Sequence, residues 1–277
     1  MDTVKKVIPK TLMYFILIFT ILISIFPVLW VIFSSFKTNA QILSSPFALP
    51  ESINFDAYRF VFENYNFGLY MMNSLIVSVV STVISIIIYS MAGYVFAKYD
   101  FPLKNTLYAL FIITLLVPAQ SKAQPIFTLL INMGINNTLT GLTFVYISLG
   151  MAMSLFILRN SFASIPDSLN EAASIEGATF IQKFWKINFP LAKNGVVTAS
   201  ILMFLTNWNE YFFASLLTTS ESVRTLPVAL QFFNETFAFN YTRLFAALTV
   251  IILPGILIYS IAQERVQKSF ATSGVKG

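Results

Sequence analysis

The chain has 277 residues, 57% of them hydrophobic and only 10% charged, with a mean hydropathy of +0.75; a soluble domain carries about 25% charged residues, so this composition describes a polytopic membrane protein. The net charge is +5, but the basic residues are scattered through the polar stretches rather than gathered on one face, which argues against a nucleic-acid partner. The absence of cysteine and histidine excludes disulfides, thiol nucleophiles, histidine bases and the usual zinc ligands, leaving only carboxylates to hold a hard cation.

Lys5, Lys6 and Lys10 precede an apolar run from Thr11 to Phe33. Its 23 residues, at about 1.5 Å each, suffice to cross a hydrocarbon core of about 30 Å. The run is longer than a signal-peptide core, and Ser34 to Lys37 offers no small-x-small cleavage site, so it reads as an uncleaved first span. Residues 34–71, mixed and aromatic with Pro46 and Pro50, read as a folded external loop.

The second span runs from about Met72 to Ala97 and ends in Ala92, Gly93 and Ala97, small residues that suit close helix contact. After the charged turn Lys98 to Asn105, a third span starts near Thr106 and meets Pro118 early. Leu107 to Val117 is 11 residues, about 16 Å of helix, so this span is expected to continue past the proline toward Gln124. That would put Gln120, Lys122 and Gln124 near its outer end. Residues 126–138 read as an external turn, and the fourth span runs from about Leu139 to Leu158, with Arg159 marking its exit.

The next stretch, Asn170 to Pro190, carries Glu171, Glu176, Lys183 and Lys186 and so belongs in water. Pro166 suits the first position of a helix, where its missing N–H costs nothing, with Asp167 and Glu171 near the positive end of the helix dipole. Leu169, Ala172, Ala173 and Glu176 share one face at i, i+3, i+4 and i+7, and the alanines let a partner approach closely. Gly177 supplies the left-handed residue that ends a helix. A second amphipathic turn follows, with Phe180, Phe184 and Ile187 on one side and the lysines outside, until Pro190 stops it. The expected product is helix, hinge, helix.

A fifth span, about Leu191 to Leu217, contains Asn207, Trp208, Asn209 and Glu210 roughly two thirds of the way across. A charge at the bilayer centre costs about 2.5–3.5 kcal/mol on insertion scales, so this cluster should face a cavity or a partner. A loop with Arg224, Pro227 and Glu235 leads to the last span, about Leu244 to Ala262, and to a basic tail ending in Ser273, Gly274, Val275, Lys276 and Gly277. With six spans and both ends on one side, the inner segments hold Lys5, Lys6, Lys10, Lys98, Lys104, Arg159, Lys183, Lys186, Lys193, Arg265, Lys268 and Lys276, against Lys37, Arg59, Lys122, Arg224 and Arg243 outside, which together are all 17 basic residues. The positive-inside rule then puts the Asn170–Pro190 stretch in the cytoplasm. The chain divides into a tail, first span and external loop (1–71), a core of spans two to six (72–264) with the loop at 159–190, and a tail (265–277).

Glu171, Ala172 and Ala173, then Gly177, then Ile187 and Pro190 closely resemble the EAA loop, EAA then G then I-x-L-P, of membrane subunits of ABC importers. Phe189 stands where that family has leucine, which keeps the position apolar. An ordinary interfacial helix would account for the aromatic residues but not for the glutamate, paired alanines and glycine together. Gly93-Tyr94 followed by an alanine and a basic residue, Trp208-Asn209-Glu210, Thr225-Leu226-Pro227-Val228 and Gly274-Val275-Lys276-Gly277 are similar to the carbohydrate branch of these permeases, in particular to the class of the second membrane subunit of the maltose importer.

The resemblance implies an all-α polytopic fold of the ABC type I importer permeases: six transmembrane helices, cytoplasmic termini and a cytoplasmic coupling helix. It implies a bacterial plasma-membrane assembly with a second permease subunit, two ATPase subunits and an external solute-binding protein. Glu171, Ala172, Ala173, Gly177, Ile187 and Pro190 would then couple to the ATPase. The chain has no G-x-x-x-x-G-K-[ST] sequence, so it supplies no phosphate-binding loop of its own, and ATP and magnesium belong to the partners. Gln120, Asn207, Asn209 and Glu210 are candidates for the sugar path, because amides and carboxylates bond hydroxyls; helix packing is the competing role of the fifth-span cluster. The terminal tail is expected to contact the ATPase, or to be a plain basic end. An importer of a non-sugar solute shares the EAA loop and stays open as an alternative. A secondary transporter would show inverted repeats around a midplane ion site, and a membrane enzyme would need convergent groups in the spans, where Glu210 is almost alone.

Overall fold

Apolar runs that must satisfy every backbone group in lipid become helices. A computed structural model describes residues 10–236 and 240–274, and among these there is no strand. Lys5, Lys6, Val275, Lys276 and Gly277 lie outside the described residues, as do the side chains of Glu235, Arg265 and Lys268. The chain forms two units, residues 1–67 with 230–253 and residues 68–229 with 254–277.

The first unit begins with α1 (Lys10–Ser34), which is exposed over most of its length and ends at the buried Ser34. The expected folded loop follows, as α2 (Asn39–Ser44) and α3 (Asp56–Asn64). It is held by aromatic contacts, Phe36 lying 5.4 Å from both Phe55 and Tyr58. The Pro46 carbonyl accepts from Trp30 Nε1 at 2.8 Å and from the buried Lys37 Nζ at 2.9 Å.

In the second unit, α4 (Phe67–Lys98) has 32 residues and starts five residues ahead of the expected Met72. Many of its polar side chains are buried, and two of them hold the segment 222–226. Asn73 donates to the carbonyls of Ser222 and Arg224, and Ser74 Oγ accepts the Leu226 N–H at 2.8 Å. This pins Thr225 and Leu226, both buried, at the start of the Thr225–Val228 motif.

The third apolar run departs from the expectation. It forms α5 (Lys104–Ile113) and a 3-10 turn to Leu116, and a second 3-10 turn (Ala119–Lys122) leads into α6 (Ala123–Asn132). The run does pass Pro118 and reach Gln124, but its two halves meet at 108°. The cause is local: Val117 is extended (φ −85, ψ 115), the conformation a following proline favours. Residues 126–132, expected in an external turn, are helical.

The fourth run is α7 (Leu139–Leu149) and α8 (Met151–Ala163), meeting at 50°. The loop follows as α9 (Asp167–Ile175), α10 (Phe180–Gln182), a π-helical turn (Lys183–Asn188) and α11 (Phe189–Leu191). Then come α12 (Lys193–Trp208), α13 (Phe212–Leu217), a 3-10 turn (Glu221–Val223), α14 (Leu226–Thr236) and α15 (Tyr241–Gly274). The fifth span is thus interrupted at 209–211, and the helix of the last span carries on beyond Ala262 through the expected tail to Gly274.

Among the described residues two helices suffice by length and composition to cross a membrane, Leu12–Ser34 and Phe67–Lys98, and the count rises to five if each of three bent pairs is one span. One core of the second unit packs Tyr94, Leu158, Phe162, Phe184 and Ala199 together; another packs Val77, Leu142, Tyr146, Phe213 and Leu217.

Candidate functional site

The loop 164–192 is built as two arms. Asp167 opens α9, with Pro166 just before it in an extended conformation (ψ 135) rather than as the first helical residue. Lys98, at the end of α4, donates to the Ile165 carbonyl and to Asp167 Oδ1, the latter at 2.6 Å, so the base of the first arm is tied to a long helix.

Gly177 ends the first arm as expected, with φ +78. Ala178 N–H donates to the Ala173 carbonyl at 2.9 Å and Gly177 N–H to the Ser174 carbonyl at 3.1 Å, the paired bonds that close a helix through a left-handed glycine. The second arm is started by Thr179 and Gln182, each of whose side chains accepts the other's backbone N–H.

The outward stripe of α9 is shifted from the expected one. Ser168, Glu171, Ala172 and Ile175 are exposed, Ile175 at 88%, whereas Ala173 is buried. Glu171 has no hydrogen bond or ion pair among the described residues. Leu169, Ile181 and Trp185 of the same loop are exposed as well.

On the inner side, Phe184 is fully buried, as its place on the apolar face required, and Ile187 is half-buried. Pro190 does not stop the second arm. The helix runs through it to Leu191 and bends by 79° into α12. A regular helix would bring the proline ring against the carbonyl four residues back; the π turn that precedes it changes that register, Phe189 N–H bonding the Phe184 carbonyl five residues back.

Two residues that sequence reasoning passed over hold the arms together. Asn188, fully buried, donates from Nδ2 to Asn170 Oδ1 at 2.7 Å and to the Lys183 carbonyl at 2.9 Å, and Asn170 Nδ2 donates back to Asn188 Oδ1 at 3.3 Å. Tyr94 Oη also donates to Asn170 Oδ1, at 3.4 Å, and its buried ring contacts Tyr99, Phe162, Phe180 and Phe184. The available signal was an amide at 188 between Ile187 and Phe189, where the arm is otherwise apolar. Tyr94, Lys98, Asn170, Glu171, Ser174 and Lys183 line an open cleft of about 320 Å³.

Among the substrate-path candidates no side-chain hydrogen bond joins one to another. Asn207 is buried and donates to Ser81 Oγ at 2.8 Å, while Asn209 is exposed and donates back to the Leu205 carbonyl at 2.8 Å. Glu210 accepts the N–H groups of Phe213 and Ala214 on its two carboxylate oxygens at 2.8 and 2.9 Å, and thereby caps α13. Gln120 is exposed in the 3-10 turn after Pro118 and makes no hydrogen bond with the other three. Among the described residues no group of three or more acidic side chains stands close enough to hold a metal ion.

A family model described as binding-protein-dependent transport system inner membrane component matches residues 89–272. The diacetylchitobiose uptake system permease protein of Streptomyces coelicolor is 34% identical over 92% of this chain and 85% of its own length. The trehalose transport system permease protein of Mycobacterium tuberculosis is 32% identical over 92% of this chain and 93% of its own. Among solved structures, a bacterial ABC transporter involved in the import of the acidic polysaccharide alginate has a chain that superposes with a TM-score of 0.79, 25% identical, over 92% of this chain and 95% of that one.

Proposed function

Because the chain belongs to the family of inner-membrane components of binding-protein-dependent transport systems, we propose that it is a permease subunit of an ATP-driven sugar importer in the bacterial plasma membrane. It works with a second permease subunit, two ATPase subunits and an external solute-binding protein. The relatives that carry diacetylchitobiose and trehalose in their names support an oligosaccharide cargo. In this reading the chain crosses the membrane six times with both termini in the cytoplasm. The spans are α1, α4, the bent runs α5–α6 and α7–α8, α12 with α13, and the apolar part of α15, Tyr241–Leu257.

The observation that carries the reading is the loop, a helix, a left-handed glycine and a second helix that leave Glu171 exposed and without a charge partner among the described residues. Glu171, Ala172 and Ile175 enter a groove on the ATPase, where a basic side chain meets the carboxylate. Gly177 sets the angle between the arms, Ala173 and Ile187 pack the inner face, and Pro190 lies at the bend into α12. When ATP closes the ATPase pair, the loop is displaced and the spans rock between two arrangements. Gln120 and Asn209, the exposed members of the polar set, offer amides to sugar hydroxyls, while Asn207 and Glu210 shape the interruption of the fifth span. This chain hydrolyses no ATP; its partners bind ATP and magnesium.

The test is solute-stimulated ATP hydrolysis by the reconstituted complex, wild type against Glu171→Ala, with subunit retention measured alongside. A variant that assembles but loses stimulation is expected. Unchanged stimulation would remove Glu171 from the contact, and an ATPase subunit that never associates with the wild type would overturn the assignment.

A further inference from the structure

We propose that Asn170 and Asn188 form a clasp that stays closed throughout transport, so that the two arms of the loop move as one piece and pass their displacement to α4 through Tyr94. The inference rests on the coupling role proposed for the loop, and it assigns positioning roles to residues that the EAA motif leaves unspecified.

A left-handed glycine gives the chain a place to bend, and Gly177 has nothing within 4 Å of where a Cβ would stand, so neither packing nor side-chain bulk stiffens the turn itself. Something else must stop the arms from hinging when one of them is pushed. The amide pair does this between positions 18 residues apart. Asn188 also holds the Lys183 carbonyl of its own π turn at 2.9 Å, so the bonds that join the arms also brace the second arm. Lys183 Nζ adds a bond to Ser174 Oγ at 3.1 Å across the same gap.

Opening the pair would leave the fully buried Asn188 amide without its partner, a change that packed protein resists. The outlet is equally specific. Tyr94 Oη reaches Asn170 at 3.4 Å while its ring lies 5.5 Å from both Phe180 and Phe184, so both arms bear on one side chain of α4.

The chain contains no cysteine, which makes a decisive test available. Asn170→Cys and Asn188→Cys are combined in a complex whose other subunits are cysteine-free, joined with a short homobifunctional thiol reagent, and assayed for sugar import and ATP hydrolysis. A clasp that never opens predicts that the joined complex imports sugar at a ratio of ATP to sugar no higher than the wild type. The unjoined double variant, Asn188→Ala and the milder Asn170→Ala should assemble with the ATPase yet spend about fivefold or more extra ATP per sugar, the lower end of ordinary site-to-site coupling. Import arrested by the link and restored by cleaving it would show that the arms separate in the cycle and overturn the proposal. So would single variants with a wild-type ratio. If Glu171→Ala also leaves stimulation intact in the same preparation, the coupling role of the loop fails with it; if only the clasp variants are silent, that role stands without the clasp.

Discussion

Lys98 Nζ and Asp167 Oδ1 lie 2.6 Å apart, joining the last residue of α4 to the first of α9. The lysine side chain is 5% exposed and the aspartate 75%, so solvent screens one end of the pair. Lys98→Met and Asp167→Asn should each lower the thermal unfolding midpoint of the purified complex. The double variant should cost less than the two singles added, with a coupling of about 1 kcal/mol or below for so exposed a partner. Raising the salt should shrink that coupling; strict additivity would mean the pair contributes nothing.

Gly177 separates backbone cost from packing cost. With φ +78 and open space around its missing Cβ, Gly177→Ala carries only the left-handed penalty of about 1 kcal/mol. Asparagine tolerates that conformation better and a β-branched residue worse. The ratio of ATP hydrolysed to sugar imported should therefore worsen in the order Asn, Ala, Val. Equal ratios for all three would show that the turn angle is unimportant.

Tyr94 distinguishes ring from hydroxyl. Its ring is fully buried among Tyr99, Phe162, Phe180 and Phe184, so Tyr94→Ala should cost about 3–5 kcal/mol. Tyr94→Phe keeps the packing and loses the contacts with Tyr99 and Asn170, about 1 kcal/mol. Thermal unfolding in detergent checks the difference, and a phenylalanine variant as unstable as the alanine one would refute it.

At the interruption of the fifth span, Glu210→Ala removes both acceptors from the Phe213 and Ala214 N–H groups, a loss of about 1–2 kcal/mol for a helix cap. Glu210→Gln keeps one acceptor and should lose about half as much. Limited proteolysis and the unfolding midpoint should rank the variants wild type, Gln, Ala; a glutamine variant no better than alanine would mean that the carboxylate acts elsewhere.

What could be read in advance was whatever local pattern encodes. Apolar runs marked most of the helical segments, and Gly177 announced its left-handed turn because few other residues occupy one. Pro118 marked a point that the third run had to pass, but not how sharply it would bend there: the residue before a proline is pushed out of the helical region, and Val117 obeys that rule. Glu210 looked like a costly charge in a span and proved to be a cap, since nothing in a single run tells whether a carboxylate faces a cavity or the next helix's N–H groups. The Asn170–Asn188 pair was invisible for a different reason: its two halves are 18 residues apart, and no periodicity links amides across a turn.

The π turn at Lys183–Asn188 makes the distance between Gly177 and Pro190 a matter of phase rather than of reach. A residue removed from an α-helical stretch rotates everything after it by about 100°. Here such a deletion would spare Gly177, Pro190 and Glu171, yet turn α12 away from α8 and carry Asn188 out of line with Asn170. The length of the arm is therefore as much a part of its chemistry as any residue in it.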